Sequence, residues 1–370
     1  EKTMTAPERH GWFYRLLSDH WAFEGEYNAL CPEMKRPWTW VDYKPVLGDN
    51  AWANVLGPLH VLWLRNGGDP ARVSRNAPEL RLALDFLGSL DAMVAGDTGG
   101  VYFCPRNTYY GWIHVSIGSQ VSTENSASLL GGLKALRYLL LRMGHSELKS
   151  ALKSTERLIG GLQSFLRKAY DKNAGYFRTG GMYNAKTKTF EWTPAEGNFA
   201  VDCQSWVATA LGSSLIDEWH GHGTTLKLWE TTKRLAGYAK QSNGMVKGVG
   251  YTLNAADQAC SGEWSYGVAN WLQVMATEST YDAATRERLA AEAAFIAAHL
   301  KKELTKDVEV GGQKVAAALY ANKRYAIPAH LGGWVAYPIP SRASTSWGIF
   351  WDQDYNPFHL LGNFTSTYDM

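Results

Sequence analysis

The stretch STENSASLLGGLKALRYLLL at residues 122–141 decides how the chain is organised. It opens with hydroxyl groups, an acid and an amide, and continues as an apolar run with helical periodicity. A serine or threonine at such a place caps a helix by accepting a first-turn N–H, and an acid beside it complements the positive end of the helix dipole. Capping therefore suffices to explain Glu124 and Asn125 if the pattern occurs once.

The same pattern occurs five times along the chain. The other copies are GDNAWANVLGPLHVLWL from Gly48, VDCQSWVATALGSSLIDEW from Val201, SGEWSYGVANWLQVMA from Ser261 and ASTSWGIFWDQDYNPF from Ala343. Their marker residues are Asp49, Glu124, Asp202, Glu263 and Ser344. The spacings between markers are 75, 78, 61 and 81 residues, too irregular for a solenoid but suited to a helical unit with loops of varying length.

A second kind of helix, charged and strongly periodic, is predicted between these copies. Its members are residues 71–93, 148–171, 224–241 and 284–304. Their polar stripe is typical of surface helices, whereas the first kind has little charge beyond its N-terminal cluster and should be buried. Alternating inner and outer helices predict an all-α fold, a ring of helical hairpins forming a single domain over 1–370, with short β-hairpin loops such as 175–193. About ten helices are recognisable, including 8–23, and a six-hairpin ring needs twelve, so an open helical array is the alternative.

Composition and charge narrow the function classes. Lys and Arg (37) balance Asp and Glu (35), and the net charge of +2 gives no reason to predict nucleic acid as a partner. The most apolar run, 129–141, carries Lys134 and Arg137, so no membrane insertion is predicted. No phosphate-binding loop or dinucleotide fingerprint appears, and His220 and His222 have no further ligand at helical spacing. The sequence predicts neither a cofactor nor a metal.

Cysteine usage and the chain ends bear on the compartment. Cys31, Cys104, Cys203 and Cys260 have no zinc-like spacing, and both buried thiols and disulfides fit. The first residue is Glu, so we expect that a preceding segment was removed, either a signal peptide or a piece left out in cloning. A glycosylation sequon begins at Asn363. Together these features favour a secreted or other extracytoplasmic protein, and they leave the oligomeric state open.

The polar clusters should meet at one end of the ring if successive inner helices run parallel. Carboxylates and amides bind sugar hydroxyls, indoles stack on sugar rings, and two acids can divide proton donation from water activation. The chain has 16 tryptophans, more than packing usually needs. The pattern thus predicts an oligo- or polysaccharide site. Its catalytic candidates are Glu124, Asp202 and Glu263, and its substrate-binding candidates are Asp49, Asn50, Trp52, Trp112, Asn125, Gln204, Trp206, Trp264, Tyr266 and Trp347.

The order of these motifs resembles a known family. GDNAW, STENSAS, VDCQSW, SGEW and TSWGIFWDQDYNPF are similar to the NNAW-, TE(H/D)N-, LDVQ- and EGT-type motifs and the final TAW…NPF segment of six-hairpin (α/α)6-toroid glycosidase-like proteins. The resemblance covers roughly residues 45–360. It implies carbohydrate substrates, commonly hydrolysed with inversion by two carboxylic residues. SGEWSY in place of EGT, and Ser126 where relatives often have a larger residue, are departures from the pattern.

We interpret Glu263, which is flanked by Trp264 and an uncharged loop, as the general acid of a glycoside hydrolase. Asp202 or Glu124 would be the base, and the other would bind a sugar hydroxyl. A polysaccharide lyase or sugar epimerase is the second hypothesis, and a non-catalytic glycan binder is the third. The proton-transferring candidates of the second hypothesis are Tyr109, His114 and His330.

Plainer readings accompany the site candidates. The acids could simply be helix caps, and Asp352 and Asp354 in DQDYNPF are interpreted as structural because the segment lacks the glycine and glutamate of an EF-hand loop. The aromatic stretch 108–115, which contains Trp112, is either a cleft wall or a packed hairpin. Stacking on sugars requires accessible rings. We therefore expect partial exposure of Trp52, Trp206 and Trp264, close to one another.

Overall fold

The computed structural model describes residues 46–105, 117–242, 244–253, 259–328, 331 and 335–365. The predicted helix at 8–23 and the aromatic stretch at 108–115 lie outside the described residues. The described part is mainly helical, as predicted. Within it, no helix combines the length and apolarity that crossing a bilayer requires.

The helices follow one another in this order. They are α1 (Leu47–Ala51), α2 (Gly57–Arg65), α3 (Pro78–Ser89), α4 (Thr123–Met143), α5 (Lys149–Ala169), α6 (Asp202–Leu211), α7 (Ser213–His220), α8 (Thr224–Ala236), α9 (Gly262–Thr277), α10 (Ala283–Glu303) and α11 (Arg342–Asp352). A π-helical segment, Trp52–Leu56, joins α1 to α2 without a break. Short 3₁₀ turns are formed by Pro70–Arg72, Leu90–Met93, Ile117–Ser119 and Ser146–Leu148.

Burial separates the helices into two layers. The motif helices α4, α6 and α9 bury 14 of 21, 9 of 10 and 12 of 16 residues, whereas the charged helices α5 and α10 bury 7 and 6 of 21. The fifth motif helix, α11, is less enclosed and buries only Ser344 and Trp347. The predicted division into inner motif helices and outer charged helices is confirmed for α4, α6 and α9 against α5 and α10, and α11 departs from it.

Neighbouring inner helices pack side by side. Helix α4 contacts α1 and α6, α6 contacts α9, and α9 contacts α11, while α5 and α10 cover α4 and α9 from outside. The last inner helix returns to the first through aromatic rings: Trp347 lies 6.1 Å from Trp52 and 5.8 Å from Trp206 between ring centroids. Phe358 lies 5.2 Å from Trp52. These four residues, the central aromatic cluster, join the first, third and fifth motifs.

Short strands orient the helix ends. They are β1 (Gln120–Ser122), β2 (Tyr170–Asp171), β3 (Tyr176–Phe177), β4 (Gly180–Asn184), β5 (Thr189–Trp192), β6 (Thr305–Val310), β7 (Gln313–Ala318), β8 (Tyr325–Ala326) and β9 (Val335–Ala336). The antiparallel sheet β1-β4-β5 pairs Val121 with Gly181, and β1 leads directly into α4. Gly180 has φ +143°, and a Cβ there would lie 2.0 Å from the Val121 carbonyl oxygen, so glycine is required. The predicted β-hairpin loops are thus present as small antiparallel pairs.

A buried polar group connects the outer helices. The Trp229 indole of α8 donates from Nε1 to Glu292 of α10 at 2.8 Å, and its ring packs edge-on against Trp271 of α9. The Lys233 ammonium lies 3.3 Å from the other Glu292 oxygen. This pairing offsets the cost of burying a carboxylate between helices.

Three of the four cysteines lie in the described part of the chain. All three are buried, and Cys203 and Cys260 are free thiols, so the thiol alternative holds for these two. Cys31 lies outside the described residues.

The segment after α11 is fixed by a buried histidine on α2. His60 Nε2 donates to the Pro357 carbonyl oxygen at 2.9 Å, which leaves Nδ1 to accept the Tyr355 hydroxyl. Burial lowers the pKa of His60 to about 4. Asp352 pairs with Lys301 of α10 at 3.1 Å. These contacts agree with the structural reading of the DQDYNPF segment.

The His60 contacts predict a loss of stability in acid. The folded pKa of about 4 lies below the ordinary value of 6.5, so the folded protein binds fewer protons than the unfolded chain between these values. The contribution is complete above pH 6.5 and is lost as the pH falls to 4, a change of about 3 kcal/mol. In thermal unfolding, the amount by which the Tm of wild type exceeds that of His60→Gln should therefore shrink as the pH falls from 6.5 to 4. The exposed His145, changed to Gln, is the control and should show a constant difference.

Candidate active site

Serine hydroxyls, not the acids, cap two of the motif helices. Ser122 Oγ accepts a backbone N–H three residues later at 3.1 Å, and Ser261 Oγ does the same at 3.1 Å. Glu124 and Glu263 are the second residues of α4 and α9. Because the caps are already made by serine, capping does not account for these two glutamates.

Asp202 is held differently, as the first residue of α6. Its Oδ1 accepts the Cys203 backbone N–H at 2.7 Å, and the Cys203 thiol donates to the same carboxylate. The Cys203 sulfur also accepts the backbone N–H of Glu124. The N-terminal ends of α4 and α6 are therefore adjacent. This agrees with the expectation that the polar clusters of the inner helices meet at one end of the ring.

Four acids interact at these helix ends and form what we call the acid cluster: Asp49, Glu124, Asp202 and Glu263. Burial raises the pKa of Glu124 well above its ordinary range, and the charges of the other three raise it further. Burial, followed by the charges of Asp202 and Asp49, raises the pKa of Glu263 to about 8. Burial raises the pKa of Asp202 to about 6, opposed by its hydrogen bonds from the next residue. Such mutual effects require the carboxyl groups to be near one another.

The acid cluster is surrounded by protein but reaches solvent. Glu124, Asp202 and Glu263 are half-buried, and Asp49 is exposed. At neutral pH a pKa of about 6 leaves Asp202 mainly ionised and a pKa of about 8 leaves Glu263 mainly protonated, and the pKa of Glu124 is raised by the same causes as that of Glu263. One site thus offers a carboxylate that can accept a proton and carboxylic acids that can donate one. No group of three or more histidines, cysteines or acids in the described ranges is arranged to hold a metal ion.

Glu124 has a defined position against the first motif. Its Oε1 accepts the Ser128 hydroxyl at 2.9 Å, and Ser128 Oγ accepts the Trp52 indole N–H at 3.2 Å. A Cβ at Gly48 would lie 3.2 Å from the same Glu124 oxygen and 2.6 Å from Asn125 Oδ1. Ser128 is not among the residues predicted from the sequence. Its place four residues after Glu124 on the same helix indicates that the two side chains can contact each other.

The three amides predicted to bind sugar are buried and bonded to backbone. Gln204 accepts the Phe177 N–H at 2.8 Å and donates to the Phe177 carbonyl oxygen at 3.0 Å. The Asn125 and Asn50 amides donate to backbone carbonyl oxygens at 3.1 and 2.9 Å. Their exposed fractions are 0% for Gln204 and Asn125 and 1% for Asn50. The structure thus uses these amides in backbone contacts, and their role in binding sugar stays a prediction.

The aromatic prediction is only partly correct. Trp52 is half-buried and lies within 6.2 Å of Trp206, but Trp206 and Trp347 are buried in the central aromatic cluster. Trp264 is also buried, with its ring 4.9 Å from that of Tyr251. The expected partial exposure is therefore wrong for Trp206 and Trp264. Apolar rings at the centre of a ring of helices exclude water more effectively when packed on one another than when left open to a ligand.

Two further binding candidates remain. Tyr266 is buried, and its ring lies beside Gly348 of α11. Its role in binding substrate stays a prediction. Trp112 lies outside the described residues, as do the lyase or epimerase candidates Tyr109, His114 and His330.

A separate cavity of about 690 Å³ lies at the opposite ends of the inner helices. It is lined by Asp217, Thr277 and Glu278, and the 16 residues of α9 place it about 24 Å from the acid cluster. Asp217 accepts the backbone N–H groups of Gly223 and Thr225 at 2.7 and 2.8 Å, so its carboxylate is used within the protein. We therefore place the candidate active site at the acid cluster.

Comparison with known proteins bears on the fold. No family model and no curated protein matches the sequence. Among solved structures, a variant of UGL with the oligosaccharide dGlcA-Glc-Rha-Glc is similar at a TM-score of 0.50 and 11% identity, covering 85% of this chain and 78% of the other. The chain has the (α/α)6-toroid fold.

A second solved structure covers a slightly larger share of the toroid. It is the unsaturated glucuronyl hydrolase from Bacillus sp. GL1, at a TM-score of 0.48 and 11% identity, with 87% of this chain and 83% of that one covered. The likeness to the UGL structure confirms the predicted toroid architecture. At 11% identity it shows the fold alone.

The acid cluster should destabilise the toroid as the pH rises. Glu263 has a folded pKa raised from 4.5 to about 8, so its contribution to stability is complete below pH 4.5 and is lost towards pH 8. Glutamine mimics the protonated acid. Glu263→Gln should therefore gain Tm over wild type as the pH rises through this window. The corresponding gain in the free energy of unfolding should be on the order of 2 kcal/mol. This is less than the full pKa shift implies, because the carboxyl group is partly solvated.

The control for this measurement is Glu309→Gln, on the exposed face of β6. It should leave the pH dependence of Tm unchanged. An equal gain in both variants, or a gain in Glu263→Gln that does not depend on pH, would contradict the assigned environment of Glu263.

Proposed function

We propose that this toroid is a glycoside hydrolase that acts on an oligo- or polysaccharide with inversion, using Glu263 as general acid and Asp202 as general base. The observation that carries the proposal is the acid cluster, in which partly solvated carboxyl groups at adjacent helix ends have unequal pKa values. Inverting hydrolysis needs one carboxyl group protonated and another ionised at the same pH. Oligosaccharides such as the one bound by UGL are the kind of ligand proposed.

The base assignment follows from the hydrogen bonds of Asp202. The backbone N–H and thiol of Cys203 both donate to this carboxylate, which stabilises the ionised form. Its pKa of about 6 leaves it ionised at neutral pH and close enough to neutrality to accept a proton from water. Of the three acids, Asp202 is therefore the suitable base.

The acid assignment follows from the surroundings of Glu263. The residue is half-buried beside the buried Trp264 and near the charges of Asp202 and Asp49, which oppose its ionisation. A carboxylic acid with a pKa of about 8 is protonated at neutral pH and can protonate a glycosidic oxygen. Glu124, whose pKa is also raised by burial and by its acidic neighbours, would form a hydrogen bond with a sugar hydroxyl.

Substrate identification comes first in testing this proposal. Purified protein is incubated with a glycan library and the products are read by mass spectrometry. New reducing ends indicate hydrolysis, absorbance of an unsaturated uronide indicates a lyase, and unchanged glycans that remain bound indicate a binder. Only the first outcome supports the proposal.

The pH dependence of kcat/KM should be bell-shaped, with limbs near pH 6 and pH 8, because Asp202 must be ionised and Glu263 protonated. Glu263→Gln should lower kcat by roughly 10²–10⁴-fold with binding retained, and its residual activity should lack the alkaline limb. Asp202→Asn should remove the acid limb. Full activity in Glu263→Gln with loss in Asp202→Asn and Glu124→Gln would move the acid assignment to that pair.

Indole fluorescence should report binding through Trp52, the half-buried member of the central aromatic cluster. A cognate glycan should change the emission of wild type, and Trp52→Phe should lose most of that change. Trp264→Phe is the matched control, since Trp264 is buried and its response should match wild type. An unchanged response in Trp52→Phe would place the stacking surface elsewhere.

A further inference from the structure

A chain of two hydrogen bonds leads from the first motif to the acid cluster. The Trp52 indole Nε1–H lies 3.2 Å from Ser128 Oγ, and Ser128 Oγ lies 2.9 Å from Glu124 Oε1. Ser128 is fully buried on the side of α4 that faces α1. The three residues come from two motifs, so these two hydrogen bonds form only in the folded ring.

Both hydrogen bonds have a defined direction in the structure. An indole N–H can only donate, so Ser128 Oγ is the acceptor of the first bond. The Ser128 hydroxyl donates its single proton to Glu124 Oε1, which is the acceptor of the second bond. The carbonyl oxygen of a carboxylic acid is its better acceptor, so with Oε1 accepting this bond the acid proton of Glu124 belongs on Oε2.

We propose that Trp52 and Ser128 are positioning residues that fix the proton of Glu124 on Oε2 and direct it towards bound substrate. This inference rests on the proposed function only in naming Glu124 as a substrate contact. The backbone supports the arrangement, because Gly48 lets α1 pack closely on the start of α4: a Cβ there would lie 2.6 Å from Asn125 Oδ1 and 3.2 Å from Glu124 Oε1. Trp52 begins the π-helical segment, a local geometry that frequently occurs at functional sites.

The neighbours of Glu124 define what such a proton does. Asp49, Asp202 and Glu263 face it from α1, α6 and α9, and the Cys203 sulfur accepts its backbone N–H. Among the residues that the structure describes, the groups that act on this carboxyl include no cation, which favours the acid form. A neutral acid with a fixed proton selects an acceptor oxygen on the ligand, such as a ring or hydroxyl oxygen. It would discriminate against a cationic group at the same place.

Infrared difference spectroscopy tests the arrangement without a substrate. The carbonyl stretch of protonated Glu124 is identified as the band that is lost in Glu124→Gln. In Ser128→Ala the carbonyl loses its accepted hydrogen bond, so the band should move to higher wavenumber and persist to higher pH than in wild type. Trp52→Phe keeps an aromatic ring but removes the N–H, and it should shift the band in the same direction by a smaller amount.

Ser126→Ala is the matched control. Ser126 is fully buried on the same helix, but its hydroxyl donates to the Ser122 carbonyl oxygen at 2.6 Å instead of to Glu124. Its Glu124 band should equal that of wild type. Once a substrate is known, Ser128→Ala should lower kcat/KM by roughly 3- to 10-fold and displace a limb of the pH profile, whereas Ser126→Ala should leave the profile in place.

The outcomes separate this inference from the proposed function. A Glu124 band that responds to Ser128→Ala and Trp52→Phe, in a protein that turns over no glycan, supports the positioning chain and rejects the hydrolase. A Glu124 band that moves in neither Ser128→Ala nor Trp52→Phe overturns the positioning role, even if glycan hydrolysis is found. Should Ser128→Ala fail to fold, Trp52→Phe alone decides, because its buried neighbours retain an aromatic ring.

Discussion

The contact on which the rest of the toroid depends is the packing of Trp52, Trp206, Trp347 and Phe358 on one another. These rings belong to the first, third and last motifs, which are far apart in sequence and share no backbone hydrogen-bond ladder. Aromatic rings supply a large apolar area in few residues, so one cluster can hold several helices at fixed distances. The first and third motif helices that it joins carry Asp49 and Asp202 of the acid cluster in their first turns. The position of the acid cluster therefore follows from an apolar contact.

That placement has an energetic cost. Three carboxyl groups with raised pKa values favour the unfolded chain as the pH rises, since unfolding returns them to water. His60 acts in the opposite direction, because its lowered pKa favours the folded chain as the pH rises towards 6.5. The fold tolerates the acids because apolar packing and the serine caps stabilise the same helices. Interacting acids that are buried in spite of the loss of their hydration are more typical of functional sites than of structural ones.

Much of the fold and part of the site could be predicted from the sequence. The alternation of apolar motif helices with charged ones identified the two layers, because burial selects composition directly. The convergence of Glu124, Asp202 and Glu263 followed from their common place at helix starts. The backbone hydrogen bonds of Asn125 and Gln204 could not be predicted, because only three-dimensional neighbours show where these amides bond. Trp206 and Trp264 were misjudged because sequence does not distinguish a packed ring from an exposed one.

The differences among the three acids arise from their hydrogen-bond donors. Asp202 receives two, a backbone N–H and a thiol, and has the mildest perturbation relative to its burial. Glu124 receives the Ser128 hydroxyl but lies next to every other acid of the cluster. Glu263 begins a helix whose cap is already supplied by Ser261, and burial and charge dominate its pKa. Helix ends would favour the ionised form of all three acids equally. What separates their pKa values is the combination of neighbouring charges, which raise those of both glutamates, and of hydrogen-bond donors, which oppose the effect of burial on Asp202. Both are set by residues one position or one helical turn away and by the other acids of the cluster.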